Sequence, residues 1–377
     1  MRLGADVAIV GAGIAGASLA AAIAPHASVL LIEAEDHPGY HSTGRSAAFW
    51  SESYGGPLVQ PLTSASGAFL AEGGFLSPRG ALHIADASGV AALDALERQF
   101  AGARVRLERV VDPASRIPGL RPGWADALWE PSCADIDVAR LHHAFLAAAR
   151  RAGARLVTGE RVERAERRGG AWRIGERFEA RLLVDAAGAW ADEVAAAAGV
   201  APLGIRPYRR TIAQLRVSPP APADLPLVID AAGRFYFKPE AGGRLWLSPH
   251  DETACEPCDC AAEELDVAIA VDRLERAVDW RVERVERSWA GLRSFAPDRL
   301  PVYGFDPAAD GFFWFAGQGG FGIQTAPAAA GLAAALLLGR TPDPIAAGID
   351  PLPYAPARFR QAGATGAAPQ LSRPMPK

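Results

Sequence analysis

The sequence predicts an α/β protein, α+β in part: a Rossmann-like unit together with an antiparallel or mixed β-sheet unit. Three observations carry this. A glycine fingerprint stands between a strand and a helix near the start of the chain. A long stretch from Arg206 to His250 alternates apolar and polar residues in short runs broken by Pro and Gly, the pattern of antiparallel strands. A second strand, glycine turn and helix follow near the end, in "GFFWFAGQGGFGIQTAPAAAGLAAALLLG".

The first unit is "DVAIVGAGIAGASLAAAIAPHASVLLIEAED". Val7 to Val10 form a short apolar run, as a buried parallel strand does. Gly11, Gly13 and Gly16 follow in G-x-G-x-x-G spacing. Gly11 allows the tight turn, Gly13 lets backbone amides approach a pyrophosphate, and Gly16 lets the helix pack on the strand. The helix N-terminus presents free N–H groups and the positive end of its dipole. The second strand, Ser28 to Ile32, ends at Glu33. That carboxylate suits ribose hydroxyls and repels a 2′-phosphate, which argues against NADP. The choice between FAD and NAD stays open at this point.

Further along, "VAALDALERQF" from Val90 has helical periodicity, and the stretch from Asp112 to Pro131 is rich in turns. A helix is predicted from Asp137 to Ala152, opened by an acid and closed by basic residues and Gly153. Strand-like pieces follow at "RVERAERR", "AWRIG" and "FEARLLVDAAGAW". The last runs into Ala186, Ala187 and Gly188, a small-residue turn suited to close approach of a cofactor. A helix is predicted from Ala262 to Val278. The C-terminal glycine turn would aim another helix N-terminus at a ligand that develops negative charge, as a reduced flavin does.

Composition sets bounds. With 377 residues, 50% of them hydrophobic, the chain can bury a large core. A net charge of −4 leaves no basic footprint for nucleic acid. No apolar run reaches the length of a membrane span. Asp6 and the glycines interrupt the apolar N-terminus, against a cleaved signal peptide. Of four cysteines, Cys255, Cys258 and Cys260 cluster in "ACEPCDCAAEE". They lack the second ligand pair of a zinc site, so the segment reads as a surface loop with no metal. The low total fits a reducing compartment.

The segment "GYHSTGRSAAFWSESYGG", Gly39 to Gly56, combines hydroxyls, one arginine and, near its end, the large aromatics Phe49, Trp50 and Tyr54. Together with "CADID", "DAAGAWAD", "FYFKPE", "SWAGLRSF", "PDRLPVYG" and "GQGGFGIQT", it makes the chain resemble the D-amino acid oxidase-like superfamily of FAD-dependent oxidoreductases, with most likeness to the D-arginine dehydrogenase branch. The resemblance covers nearly the whole chain. It implies noncovalent FAD, there being no cysteine in the C-terminal glycine-rich segment. It also implies a discontinuous FAD domain (1–80, 131–205, 290–360), a substrate domain (81–130, 206–289) and a flexible tail (361–377). The activity implied is oxidative deamination of a D-amino acid to keto acid and ammonia.

Carried over residue by residue, the cofactor contacts fall on Gly11, Gly13, Ile14, Ala15, Gly16, Glu33 and Ala34. They continue through His41, Ser42, Thr43, Gly44, Arg45 and Ser46 beneath the flavin, then Val162, Gly188 and Trp190. The last group is Arg293, Gly319, Gly320, Gly322, Ile323, Gln324 and Thr325. For the substrate, Arg293 and Arg210 match carboxylate-binding arginines, whose forked guanidinium suits a carboxylate. Tyr236 matches a tyrosine that bonds the same group. The Gly320 carbonyl would take the amino group. Phe49, Trp50 and Tyr54 would line or close the mouth.

One departure bears on specificity. The arginine-oxidising branch is expected to carry a His where Phe49 stands and a Glu where Ala81 stands. Without that carboxylate a guanidinium side chain has no partner, so an apolar or aromatic substrate is expected over D-Arg. His83 is the nearby polar substitute or a strand-surface residue. His41 is expected near the cofactor, and His142 and His143 to be structural. The alternatives are oxidation of a 2-hydroxy acid or secondary amine, an NAD enzyme, or a flavin subunit of a heteromeric oxidase. The electron acceptor (quinone, respiratory carrier or O2) is left open. The expected location is cytoplasmic, with peripheral association at the inner membrane face as the alternative.

Overall fold

The computed structural model describes residues 2–360; the tail expected over 361–377 lies outside them. Three sheets organise the chain. The first holds the strands whose sequences are the most continuously apolar. Arg155–Val157, Val29–Ile32, Leu3–Val10, Phe178–Asp185 and Phe312–Ala316 run parallel in that spatial order. All five residues of Phe312–Ala316 are buried. That is what a central parallel strand covered on both faces requires. Val302–Phe305 adds an antiparallel edge, and the hairpin Ala165–Arg168/Ala171–Ile174 pairs with the first half of Phe178–Asp185.

On one face of this sheet the helices Ile14–Ile23 and Gly322–Leu338 pack side by side, with Val138–Arg151 beyond. Their contact is made largely of alanines, including Ala20, Ala329 and Ala333. Small side chains let two helix axes come close. The other face is covered by the helix Ala191–Ala197 and apolar residues around Trp172 and Leu203.

The second sheet has ten strands. Its spine is the long pair Arg206–Ser218 and Arg281–Phe295, followed by Arg244–Ser248, Tyr236–Glu240, Leu227–Asp230, Ala81–Ala85, Asp126–Glu130 and Glu108–Val110. All pairings described are antiparallel except Leu227–Asp230 with Ala81–Ala85. The Arg206–His250 reading as antiparallel sheet thus has its counterpart here. The strand Arg281–Phe295 crosses the boundary drawn at residue 290 and carries Arg293 on this sheet. The helix Glu264–Ala277 packs behind it.

A third sheet, which the sequence did not suggest, joins Phe49–Trp50, Ala134–Ile136 and Leu76–Pro78. Local signals at the helix Val138–Arg151 follow the expected chemistry. Asp137 caps it by accepting the Arg140 N–H at 3.0 Å, and Arg150 and Arg151 stand in its last turn. Among the described residues no helix is long and apolar enough to cross a membrane.

Candidate functional site

A long cleft runs along the carboxyl ends of the parallel strands and under the ten-stranded sheet. It begins at the fingerprint turn. Gly11 has φ +98°, and a Cβ at Gly16 would run into the Gly11 carbonyl, so the third glycine is what lets the helix sit on the strand. Gly11, Gly13, Ile14 and Ala15 line the cleft, and Gly16 is packed beneath it.

Glu33, at the end of Val29–Ile32, also lines the cleft with Ala34. Its carboxylate accepts the N–H of Ala12 at 2.7 Å and of Glu35 at 3.0 Å, which ties it to the glycine turn. His142 supports the same turn from below: Nε2 donates to the Ala12 carbonyl at 2.8 Å. Burial keeps this imidazole below its ordinary pKa, so it is the neutral donor. His41 lies in the cleft against Trp190, ring centroids 4.5 Å apart, with its Nδ1 buried and unpartnered. Val162 and Gly188 complete this end.

The hydroxyl-rich segment after the second strand is stitched to the strand Arg281–Phe295. Ser42 donates to the Leu292 carbonyl at 2.7 Å, Thr43 accepts the Ile14 N–H at 3.0 Å, and Ser46 accepts the Ala48 N–H at 3.0 Å. Arg45 reaches the cysteine loop, bonding the Cys260 carbonyl at 2.9 Å and pairing with Asp259. Ser42, Thr43, Arg45 and Ser46 line the cleft; Gly44 does not. The cysteine loop is a surface element with Cys258 exposed, and no metal-holding group of three such ligands occurs among the described residues.

At the other end, Gly319, Gly320, Gly322 and Ile323 line the cleft at the N-terminus of Gly322–Leu338. Gln324 and Thr325 do not. Gln324 faces away, donating to the Tyr54 carbonyl at 3.1 Å and the Thr63 hydroxyl at 2.9 Å, and the Thr325 hydroxyl returns to the Phe321 carbonyl at 2.8 Å. Gln324 and Thr325 are the third and fourth residues of this helix, and their side chains point to other faces than that of Ile323. The cofactor contacts expected of both, and of Gly16 and Gly44, are therefore not seen in the lining.

The proposed substrate residues converge at one spot. Arg293 and Arg210 stand on adjacent strands, where Arg293 pairs with Tyr208 and Arg210 with Gly291, so the two arginines are diagonal neighbours on one face. Alternation sends Arg209 to the opposite face, where it pairs with Glu263 and Asp266. Arg210 is 4% exposed; its Nε donates to the Asp251 carbonyl at 2.7 Å and Nη2 to Glu252 at 3.2 Å, while Nη1 has no partner. Burial, then the charge of Arg293, bring its pKa down to about 10. Arg293 has no carboxylate partner among the described residues, and its guanidinium lies 5.6 Å over the Tyr54 ring. The Tyr236 hydroxyl is buried and also unpartnered.

Around this group, Phe49 lies 5.5 Å from Tyr54 and 6.0 Å from Tyr236, ring to ring. A Cβ at Gly320 would collide with the Tyr54 hydroxyl and the Arg293 guanidinium. Phe49 and Tyr54 thus adjoin the clamp without lining the main cleft. Trp50 does not belong here. It is 8% exposed in the core, its indole N–H bound to the Thr63 carbonyl at 3.0 Å. His83 is not a strand-surface residue either, being 5% exposed and bound to Glu130.

The sequence reading missed the segment His250–Glu252, which holds the clamp. His250 adopts φ +57°, a left-handed backbone that costs a non-glycine residue energy. Its Nδ1 donates to the Gly233 carbonyl at 3.0 Å, and its ring meets Tyr236 edge-on at 5.6 Å. Burial and the two arginines push its pKa well down, so it adds no charge. Glu252 bonds both Arg210 and Arg299. Nothing local signals these roles, because every partner is far away in sequence.

Residues 6–336 match the sequence profile of DAO, FAD dependent oxidoreductase. The chain belongs to this family. It is 32% identical over 251 residues to glycine oxidase of Pseudomonas aeruginosa, a match covering 64% of this chain and 65% of that protein. The chain therefore spans just under two thirds of that curated relative. Among solved structures it is similar to glycine oxidase from Geobacillus kaustophilus (TM-score 0.79, 24% identity, 93% of this chain and 98% of that one). It is also similar to L-proline dehydrogenase from P. horikoshii (TM-score 0.82, 20% identity, 96% and 99%). At these identities the two structures speak for the fold. The cofactor of this DAO-family oxidoreductase is FAD, and the cleft fits it. Two helix N-termini, with Gly13 and Phe321 as N-cap residues, open onto it, and the buried His41 Nδ1 awaits a partner.

Proposed function

We propose that this DAO-family protein oxidises the α-carbon of a D-amino acid with an apolar or aromatic side chain, yielding an imino acid that water converts to a keto acid and ammonia. The observation that carries the reading is the group of unpartnered donors at one spot: the Arg210 Nη1, the Tyr236 hydroxyl and the unpaired Arg293 guanidinium. Buried donors without acceptors call for a ligand. Glu252 meets only one edge of Arg210, and no carboxylate among the described residues meets Arg293, so the pair calls for an anionic ligand, and a planar carboxylate suits their forked geometry.

With the carboxylate held there, the Gly320 carbonyl is placed to accept a bond from the substrate amine. FAD, when bound, supplies the two-electron acceptor. The chain supplies orientation and the protonation state. An ammonium beside two guanidiniums in a buried site gives up its proton more readily than in water, and the neutral amine is the form from which hydride leaves. The substrate side chain would face Phe49, Ala81, Ile212 and Trp246, which cluster with Tyr236. A buried carboxylate does stand beside Ala81, Glu130, its partner across the strands. It is fully engaged by its own neighbours, so it leaves nothing to pair with a guanidinium. Phe49 and Ala81, where the arginine-oxidising pattern is expected to carry His and Glu, both lie in this pocket, which supports an apolar side chain over a guanidinium.

An anaerobic titration of the yellow protein with D- and L-amino acids tests the reading. Bleaching of the flavin band by D-Leu, D-Met or D-Phe and not by their L-enantiomers is expected. Bleaching by L-enantiomers, or by D-Arg far better than D-Leu, would overturn the assignment. A protein that only 2-hydroxy acids or secondary amines bleach would keep the clamp and replace the amine chemistry.

A further inference from the structure

One buried charged group near the site is used by none of the chemistry above. Glu130, the last residue of Asp126–Glu130, is 0% exposed. Oε1 accepts the backbone N–H of Glu52 at 2.7 Å and of Ser53 at 3.3 Å. Oε2 accepts the hydroxyls of Ser51 at 3.0 Å and Ser53 at 2.5 Å, and His83 Nε2 at 3.1 Å. Burial alone would raise its pKa, but the bonds from His83 and Ser53 outweigh it and hold the carboxyl below its usual value. A carboxylate with this many donors is ionised and fixed.

Every protein group it grips, His83 aside, belongs to one turn, Ser51 to Ser53. The next residue is Tyr54, whose ring lies under Arg293 and whose hydroxyl abuts Gly320. The residue pair before the turn includes Phe49. Gln324 braces the turn from the other side, accepting the Ser51 N–H at 3.2 Å and donating to the Tyr54 carbonyl. Directly after Tyr54, Gly55 and Gly56 take φ +101° and +81° and let the chain turn away. The turn is thus held at both of its faces, and the side chain it delivers to the site is Tyr54. A core position needs no ionised group, since apolar residues fill such space at lower cost. The charge is explained if the turn must be fixed rather than merely packed.

We propose that Glu130, with His83 behind it, is a positioning residue that fixes Tyr54 against the Arg293–Gly320 side of the carboxylate site. The inference rests on the reading of that site given above, and its test separates the two. Holoenzyme carrying Glu130→Gln should keep its flavin spectrum yet bind benzoate, a non-reactive carboxylate read by the shift in flavin absorbance, roughly 10-fold more weakly. The same loss should appear in kcat/KM for the best amino acid, through KM more than kcat. Combined with Tyr54→Phe, the loss should not add, because both changes act through one side chain. His83→Gln, which keeps a side-chain N–H, should stay near wild type where His83→Ala does not.

Full additivity of the Glu130 and Tyr54 changes, or unaltered benzoate binding in Glu130→Gln, would overturn the proposal. If Glu130→Gln does not fold, Ser53→Ala removes one donor alone, and the same cycle with Tyr54→Phe decides. If no amino acid bleaches the wild type, the function reading falls, while benzoate binding still judges the positioning role.

Discussion

Arg210 and Arg293 carry the same charge on adjacent strands, and the fold spends buried contacts to hold them there. Asp251 and Glu252 grip only the outer edge of Arg210, leaving Nη1 for a ligand. Arg293→Met should therefore lower kcat/KM about 100-fold or more, the scale of a lost bidentate ion pair in a buried site. Flavin content should stay unchanged, as steady-state kinetics and the absorbance ratio of the purified protein would report. Tyr236→Phe removes a single neutral donor and should cost about 10-fold. A smaller loss for Arg293→Met than for Tyr236→Phe would remove the arginine from the clamp. Legibility at this scale was uneven. The two arginines and Tyr236 could be placed from short motifs. Which of Arg209 and Arg210 faces the site depended on strand phase. His250 and Glu252 were invisible because their partners are strands away.

At the scale of elements, the strand Phe178–Asp185 ends on a titratable group with an unusual environment. Asp185 is fully buried; Oδ1 accepts the Ala187 N–H at 3.1 Å and Oδ2 has no partner. Burial pushes its carboxyl well above the ordinary value, which favours the protonated form in the fold. The sign of the linkage follows. The native state binds a proton that the unfolded chain releases above its ordinary carboxyl pKa, so this group costs stability as pH rises through that window. Asp185→Asn keeps the shape without the titration. Its gain in Tm over wild type should grow from pH 5 towards pH 8; a gain that stays flat over that range would show that the carboxylate is already charged in the fold. The helix Val138–Arg151 gives a simpler case: Asp137→Ala removes its cap and should cost about 1 kcal/mol by chemical denaturation. Helices and parallel strands were readable because periodicity and caps are local. The small sheet of Phe49–Trp50, Leu76–Pro78 and Ala134–Ile136 was not, because its three strands have only two or three residues each and are defined by pairing alone.

Across the whole molecule the cofactor cleft is a seam. Its floor is the parallel sheet and its helix N-termini; its far wall is the ten-stranded sheet; the segment from Gly39 to Ser46 bridges them through Ser42 to Leu292 and Arg45 to the cysteine loop. A ligand lying along that seam touches both halves at once. FAD should therefore stabilise the folded chain by mass action, and the two sheets should lose their structure together in its presence. Stripping the flavin and adding it back at about 100 times its Kd should restore about 2.7 kcal/mol of stability. Near-ultraviolet circular dichroism of the tryptophans separates the halves, since Trp172 and Trp314 lie in the first core and Trp246 and Trp289 beside the substrate pocket. Single-tryptophan variants reporting one shared, FAD-dependent midpoint would fit a cofactor that joins the two sheets. Two midpoints, with only the first core responding to FAD, would mean that the parallel sheet holds the dinucleotide alone and that the roof merely closes over it.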